Sequence, residues 1–139
     1  MSALQQQTGH IPLPEPNSVS EPFWDGCREG RLLFQRCLDC GRPNFDPAAA
    51  CRNCLSTRLE WEESRGEGSL YSWTVVWRPQ TPAFTVPYAP VIVDMDEGYQ
   101  MLSALIECDT DALAKDLRLQ VDFREMSDTI TLPYFRPAV

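Results

Sequence analysis

Two cysteine pairs constrain this chain more than any other feature: Cys37-Leu38-Asp39-Cys40-Gly41 and Cys51-Arg52-Asn53-Cys54, with ten residues between them. Two residues between ligands let one tight turn present both sulfurs to a tetrahedral ion, and a glycine after the second cysteine lets the backbone fold around the sulfur. The spacing therefore predicts a zinc site made by Cys37, Cys40, Cys51 and Cys54. Four thiolates leave no open coordination position for water or substrate. The expected role is structural, holding together a module too small for a core of its own. A thioredoxin-like redox pair needs only one such motif at a helix start, and iron or an iron-sulfur cluster is the competing occupant. Arg36, Arg42 and Arg52 stand beside the ligands and have two readings, as partners that offset the zinc-thiolate charge or as solvated surface. Cys27 and Cys108 fall outside the pattern and read as buried structural thiols.

Around this motif the chain divides into three parts. Residues 1–19 carry Pro12, Pro14 and Pro16 with few large apolar groups, which predicts an extended arm, disordered alone or laid along a partner. Residues 20–64 hold a short helix, Glu21 to Glu29, capped by Ser20 and stopped by Gly30, then strands at 31–36 and 58–62 flanking the metal. Residues 65–139 are β-branched and aromatic runs separated by turn signals. Strands are expected at 68–77, 90–95 and 99–108, with a tight turn at Asp96-Glu97-Gly98. A short helix over 109–116 and strands at 119–125 and 129–135 follow. Three strands, a helix and two strands is the chain order of an OB-fold, a five-stranded Greek-key barrel. The fold class is thus mainly β: a short N-terminal helix and a rubredoxin-like zinc ribbon followed by an OB-fold barrel.

Composition excludes several functions. With 20 acidic against 12 basic residues and a net charge of -8, the chain lacks the clustered cations that drive binding to phosphate backbones. No apolar run approaches the roughly 20 residues that span a bilayer, and the N-terminus has no basic start or apolar core of a secretory signal, so a cytoplasmic location is expected. His10 is the one histidine and lies in the proline-rich arm. That disfavours a Ser-His-Asp or Cys-His set and leaves no assignable catalytic residue. Gly66-Glu67-Gly68 opens a strand and reads as a bend or bulge rather than a phosphate loop. Asp94, Asp96 and Glu97 read as a solvated hairpin tip, and Asp109 and Asp111 as helix-capping residues. If the first barrel strand is regular, Trp73 and Trp77 share a face with Tyr71 and Val75. That face is either barrel core, the reading preferred here, or an exposed stacking or docking surface.

Taken together, the Phe23-Trp24 helix, Gly30-Arg31-Leu32-Leu33-Phe34-Gln35-Arg36-Cys37, the two knuckles, Gly66-Glu67-Gly68-Ser69-Leu70-Tyr71-Ser72, Pro87-Tyr88 and Glu97-Gly98 resemble one family from about residue 20 to 136. It is the zinc-ribbon/OB-fold family of acyl-CoA-associated proteins, domain of unknown function number thirty-five. The resemblance implies a non-catalytic accessory subunit of thiolase-like enzymes, either lipid-transfer-type aldolases of steroid side-chain breakdown or acyl-CoA acyltransferases, or alternatively of MaoC-like enoyl-CoA hydratases. It further implies a hetero-oligomer with two copies of each chain and an acyl-CoA contact at unassigned residues. An OB-fold binder of single-stranded nucleic acid is the alternative from another class, opposed by the acidic charge. The family has glycine before the fourth barrel strand where this chain has Asp116, so a different turn is expected there.

Overall fold

A computed structural model describes residues 2–8 and 10–138. Helix α1 (Glu21–Arg28) is followed by β1 (Leu33–Cys37), β2 (Pro43–Asn44) and β3 (Leu59–Glu63), which form an antiparallel sheet of order β2-β1-β3. Five further strands, β4 (Glu67–Trp73), β5 (Ala89–Met95), β6 (Gln100–Leu105), β7 (Arg118–Glu125) and β8 (Thr131–Pro137), close into a barrel of order β4-β5-β6-β8-β7. The β6–β8 pairing is parallel and the others are antiparallel. This is the expected OB-fold. Its closure leaves the barrel proper without open edges.

Two glycines make that closure possible. A Cβ on Gly68 would sit 2.5 Å from the Asp94 carbonyl oxygen, and Gly66 has φ 73 with Val121 packed against it. The expected bend at 66–68 is therefore the close approach of β4 to both neighbours. The Asp96-Glu97-Gly98 turn forms with Gly98 at φ 99, and its acids, Asp96 exposed and Glu97 half-buried, are both engaged in bonds. Asp96 accepts two bonds from Arg118 (2.7 and 2.9 Å) and Glu97 accepts from the Ser64 hydroxyl and the Arg65 N–H, both at 2.8 Å. That turn clamps the chain where the ribbon passes into the barrel.

One hydrophobic core serves both parts. Phe23, Cys27, Leu32 and Phe34 belong to the same buried cluster as Leu70, Val91, Val93, Met101, Leu105, Leu119 and Phe135. At the joint, Tyr99 stacks on Phe45 (5.4 Å between ring centroids) and tilts against Phe34 (4.8 Å).

Several expectations need correction. The first residues of the arm pair with the barrel: Leu4 donates its N–H to the Cys108 carbonyl (2.9 Å) and is 4% exposed, and Gln7 exchanges side-chain bonds with the Thr85 backbone, both 2.8 Å. Backbone pairing with barrel loops, invisible to composition, holds these residues on their own chain. α1 ends at Arg28, and the Ser20 hydroxyl does not cap it. Instead Asn17 Oδ1 accepts the N–H groups of Val19 and Ser20, and Gly30 supplies the left-handed stop at φ 75. The expected helix over 109–116 is one 3-10 turn, Thr110–Ala112, because Leu113 and Leu117 both pack on the core and Leu113 is extended. Asp116 takes φ 69, the left-handed conformation glycine adopts without cost. β4 stops at Trp73, after a bulge between Leu70 and Ser72, instead of running to Trp77.

Candidate metal centre and exposed faces

The metal centre is built by two matching knuckles. β1 delivers Cys37 to the first turn, whose Gly41 N–H returns to the Cys37 carbonyl (2.9 Å); in the second, the Leu55 N–H returns to the Cys51 carbonyl at the same distance. Gly41 and Leu55 hold φ 78 and 65, so both turns close through a left-handed residue. The Sγ atoms of Cys37, Cys40, Cys51 and Cys54 lie within 4.8 Å of one another, with Cys37–Cys54 at 3.5 Å and Cys40–Cys51 at 3.6 Å. Tetrahedral zinc with bonds of about 2.3 Å sets sulfurs about 3.8 Å apart, so the donor set fits that ion.

Hydrogen-bond donors favour the thiolate at Cys37 and Cys51, whereas at Cys54 the Ser56 backbone N–H is outweighed by the neighbouring Cys37 sulfur and by burial, which push that thiol up to about 12. Backbone N–H groups of Cys40 and Asn53 donate to Cys37 Sγ and Cys51 Sγ, each at 3.4 Å, and Asn44 Nδ2 donates to Cys51 Sγ at 3.5 Å. The backbone N–H groups hold Cys37 below the ordinary thiol range, and the backbone N–H of Cys54, then the Asn44 amide, push Cys51 down to about 6. Asn44 escaped sequence reasoning because it belongs to a two-residue strand with no pattern; it is buried, and its Oδ1 also accepts the Arg52 N–H at 3.0 Å. Of the flanking arginines, Arg36 is bound to Glu62 and the Gly41 carbonyl and Arg52 pairs with Asp46, so neither is committed to the sulfurs.

The remaining candidates separate. Cys27 and Cys108 are buried, and burial pushes the Cys27 thiol up to about 12. His10 is exposed and far in sequence from the four cysteines. Trp73 and Trp77, preferred above as barrel core, are 39% and 56% exposed. The β4 bulge and the end of barrel pairing carry them past the core, so the surface reading holds instead. An apolar cleft of about 560 Å³ opens between α1, the ribbon and the barrel, lined by Phe23, Trp24, Phe45, Met101, Leu132 and Tyr134 among others. No helix among the described residues is long and apolar enough to cross a membrane.

A four-cysteine ribbon sharing its core with an OB barrel defines the class of protein. Family models match both parts: the ChsH2 rubredoxin-like zinc ribbon domain over residues 24–60 and the ChsH2 C-terminal OB-fold domain over 61–124. Among solved structures, the chain superposes on a chain of the "Ltp2-ChsH2(DUF35) aldolase" with a TM-score of 0.83 at 31% identity, covering 91% of this chain and 100% of that one. A DUF35-family protein of unknown function from Sulfolobus solfataricus shares the fold, with a TM-score of 0.63 and 13% identity over 88% of this chain and 87% of that one. A probable enoyl-CoA hydratase alpha subunit from Thermomonospora curvata is 31% identical over 92% of this chain but only 40% of its own length. A DUF35 domain-containing scaffold protein from Methanothermobacter thermautotrophicus is 29% identical over 70% of this chain and 74% of its own. The chain belongs to the ChsH2-type zinc-ribbon/OB-fold family, DUF35. It spans about two fifths of the hydratase subunit it matches.

Proposed function

We propose that this chain is a non-catalytic accessory subunit that docks on a thiolase-like enzyme, a lipid-transfer-type aldolase or an acyl-CoA acyltransferase, and supports its acyl-CoA site. Residues 20–64 and 65–139 act as one docking unit, with structural Zn²⁺ held by Cys37, Cys40, Cys51 and Cys54. The observation that carries this reading is the end-to-end match to the DUF35 chain of an aldolase complex. The shared core and closed four-thiol shell support it, because both build rigidity rather than reactivity. In this reading two copies of each chain assemble, and the substrate is an acyl-CoA of steroid side-chain or fatty-acyl metabolism.

Affinity capture of the chain from its host at physiological salt, with mass spectrometry and elemental analysis, tests the proposal. A stoichiometric thiolase-like enzyme and one zinc per chain are expected. A chain that stays alone and changes neither yield nor activity of such enzymes encoded beside it would overturn the reading. A second reading, partnership with a MaoC-like enoyl-CoA hydratase, is favoured by relatives named as hydratase alpha subunits, one of them the 3-oxo-4,17-pregnadiene-20-carboxyl-CoA hydratase alpha subunit of Mycobacterium tuberculosis. Recovery of a hydratase in the same capture would select it.

A further inference from the structure

The barrel is closed, but one two-stranded ribbon leaves it with an open edge. β7 pairs with β4 only from Glu67 to Ser69, and Leu70 spends its N–H and carbonyl on Leu117 and Asp116. Beyond that point β4, and after it the chain to Val76, pairs only with β5 and the Tyr88 that precedes it. Thr74 donates to the Pro90 carbonyl (3.2 Å), and Val76 and Tyr88 exchange bonds of 2.8 and 3.3 Å. In an antiparallel pair the residues between such bonded positions point their N–H and C=O away from the partner strand. Trp73, Val75 and Trp77 therefore present unpaired backbone groups on the outer side.

Proteins ordinarily protect such an edge with charge, proline or a covering element. Here the edge is flanked by Tyr71, Trp73 and Trp77, 46%, 39% and 56% exposed, which are half of the exposed large hydrophobic residues among those described. Directly after Trp77 comes Arg78. Among the described arginines and lysines only Arg42 and Arg78 have no ion pair; the other ten are matched with carboxylates. Open ladder groups fit an extended polypeptide, the aromatics fit apolar side chains, and the free guanidinium fits a carboxylate.

We propose that residues 73–77 are an acceptor edge to which an extended segment of the partner enzyme adds as a strand, with apolar side chains against Trp73 and Trp77 and an acidic residue facing Arg78. The inference rests on the accessory-subunit reading for the existence of a partner. The added strand bonds to the outward groups of Trp73, Val75 and Trp77 and leaves the β4–β5 bonds untouched.

Proline at 75 is the discriminating change. It removes an outward N–H while Thr74 and Val76 keep their bonds to β5, and proline is tolerated on an edge whose N–H faces solvent. The full chain is co-expressed with each acyl-CoA enzyme encoded beside it, and any complex is compared with the free chain by hydrogen exchange of residues 71–78. Slowed exchange at Val75 and Trp77 in the complex is expected, with at least tenfold weaker association for Val75→Pro and for Arg78→Glu. Val75→Ala, which keeps the amide, should bind within about threefold of the wild type, and matched melting curves exclude misfolding. A complex whose 71–78 amides exchange as in the free chain, or which Val75→Pro joins as tightly as Val75→Ala, overturns the edge proposal and leaves the accessory role standing. Failure to form a complex with any such enzyme overturns both.

Discussion

Leu55 shows what a single residue can cost in this fold. It takes the left-handed position that glycine fills in the first knuckle, φ 65 against 78 for Gly41, and its side chain is 78% exposed. A non-glycine residue there costs about 1–2 kcal/mol, partly offset by the smaller unfolded-state entropy of leucine. Leu55→Gly should therefore stabilise the chain by about 0.5–1 kcal/mol in denaturant titration, whereas Asp116→Gly should change little, since aspartate visits this conformation readily. The sequence displayed the four cysteines but hid these backbone states. φ follows from how the turn must close around sulfur, and no spacing rule says that leucine will accept it.

Among the elements, β7 and β8 are joined by a charged triad. Asp122 lies 2.7 Å from Arg124 and 3.1 Å from Arg136, with its side chain 15% exposed, and its bonds to Arg124 and then Arg136 hold its carboxyl below the usual aspartate range. A depressed folded value means that the stabilisation is complete above the ordinary aspartate pKa, about 3.9, and is lost as pH falls through the folded value. Asp122→Asn should lower Tm at neutral pH, with the difference from wild type starting to shrink near pH 4 and disappearing only below the depressed folded value. At the other seam, Gly68→Ala would force a methyl group against the Asp94 carbonyl oxygen and Val93 Cγ1, 2.5 and 2.8 Å from the built Cβ. A loss of about 1–3 kcal/mol is expected from overpacking a site that cannot retreat, read as a lower denaturation midpoint. The five barrel strands were legible from alternation and turn residues, though not the end of β4, and so was their order along the chain, whereas the two-residue β2 was not. The 3-10 turn was not, because local helix propensity over 109–116 yields to the burial of Leu113 and Leu117.

For the whole molecule, one buried cluster joins Leu4 of the arm, Leu32 and Phe34 of the ribbon and Leu70 and Phe135 of the barrel. Removing residues 2–8 takes away buried Leu4 and Gln7, with the bond of Leu4 to Cys108, of Gln5 to Pro87 and of Gln7 to Thr85 and Tyr134, so a loss of about 2 kcal/mol is expected from the apolar burial alone. A truncated chain with unchanged stability would show that these contacts contribute nothing. Metal removal should reach beyond the ribbon. Because Phe34 and Leu32 share the cluster of Leu70 and Phe135, chelation or Cys37→Ser should lower a single cooperative transition seen both by tryptophan fluorescence and by the β-sheet signal. Two separated transitions, with the barrel unmoved, would show that the parts are independent.

The sequence by itself determined the pairing of the four cysteines, the ribbon-then-barrel order and the turn positions, because these depend on spacing, alternation and glycine or proline placement within a few residues. The tertiary structure alone decided what long-range closure controls. It set residues 2–8 on the barrel, Asn44 against Cys51 and Asp96 under Arg118, and it ended the pairing of β4 with β7 at Ser69. That last decision moved Trp73 and Trp77 from expected core to open surface, since a strand's buried face exists only where a second strand and a core lie behind it.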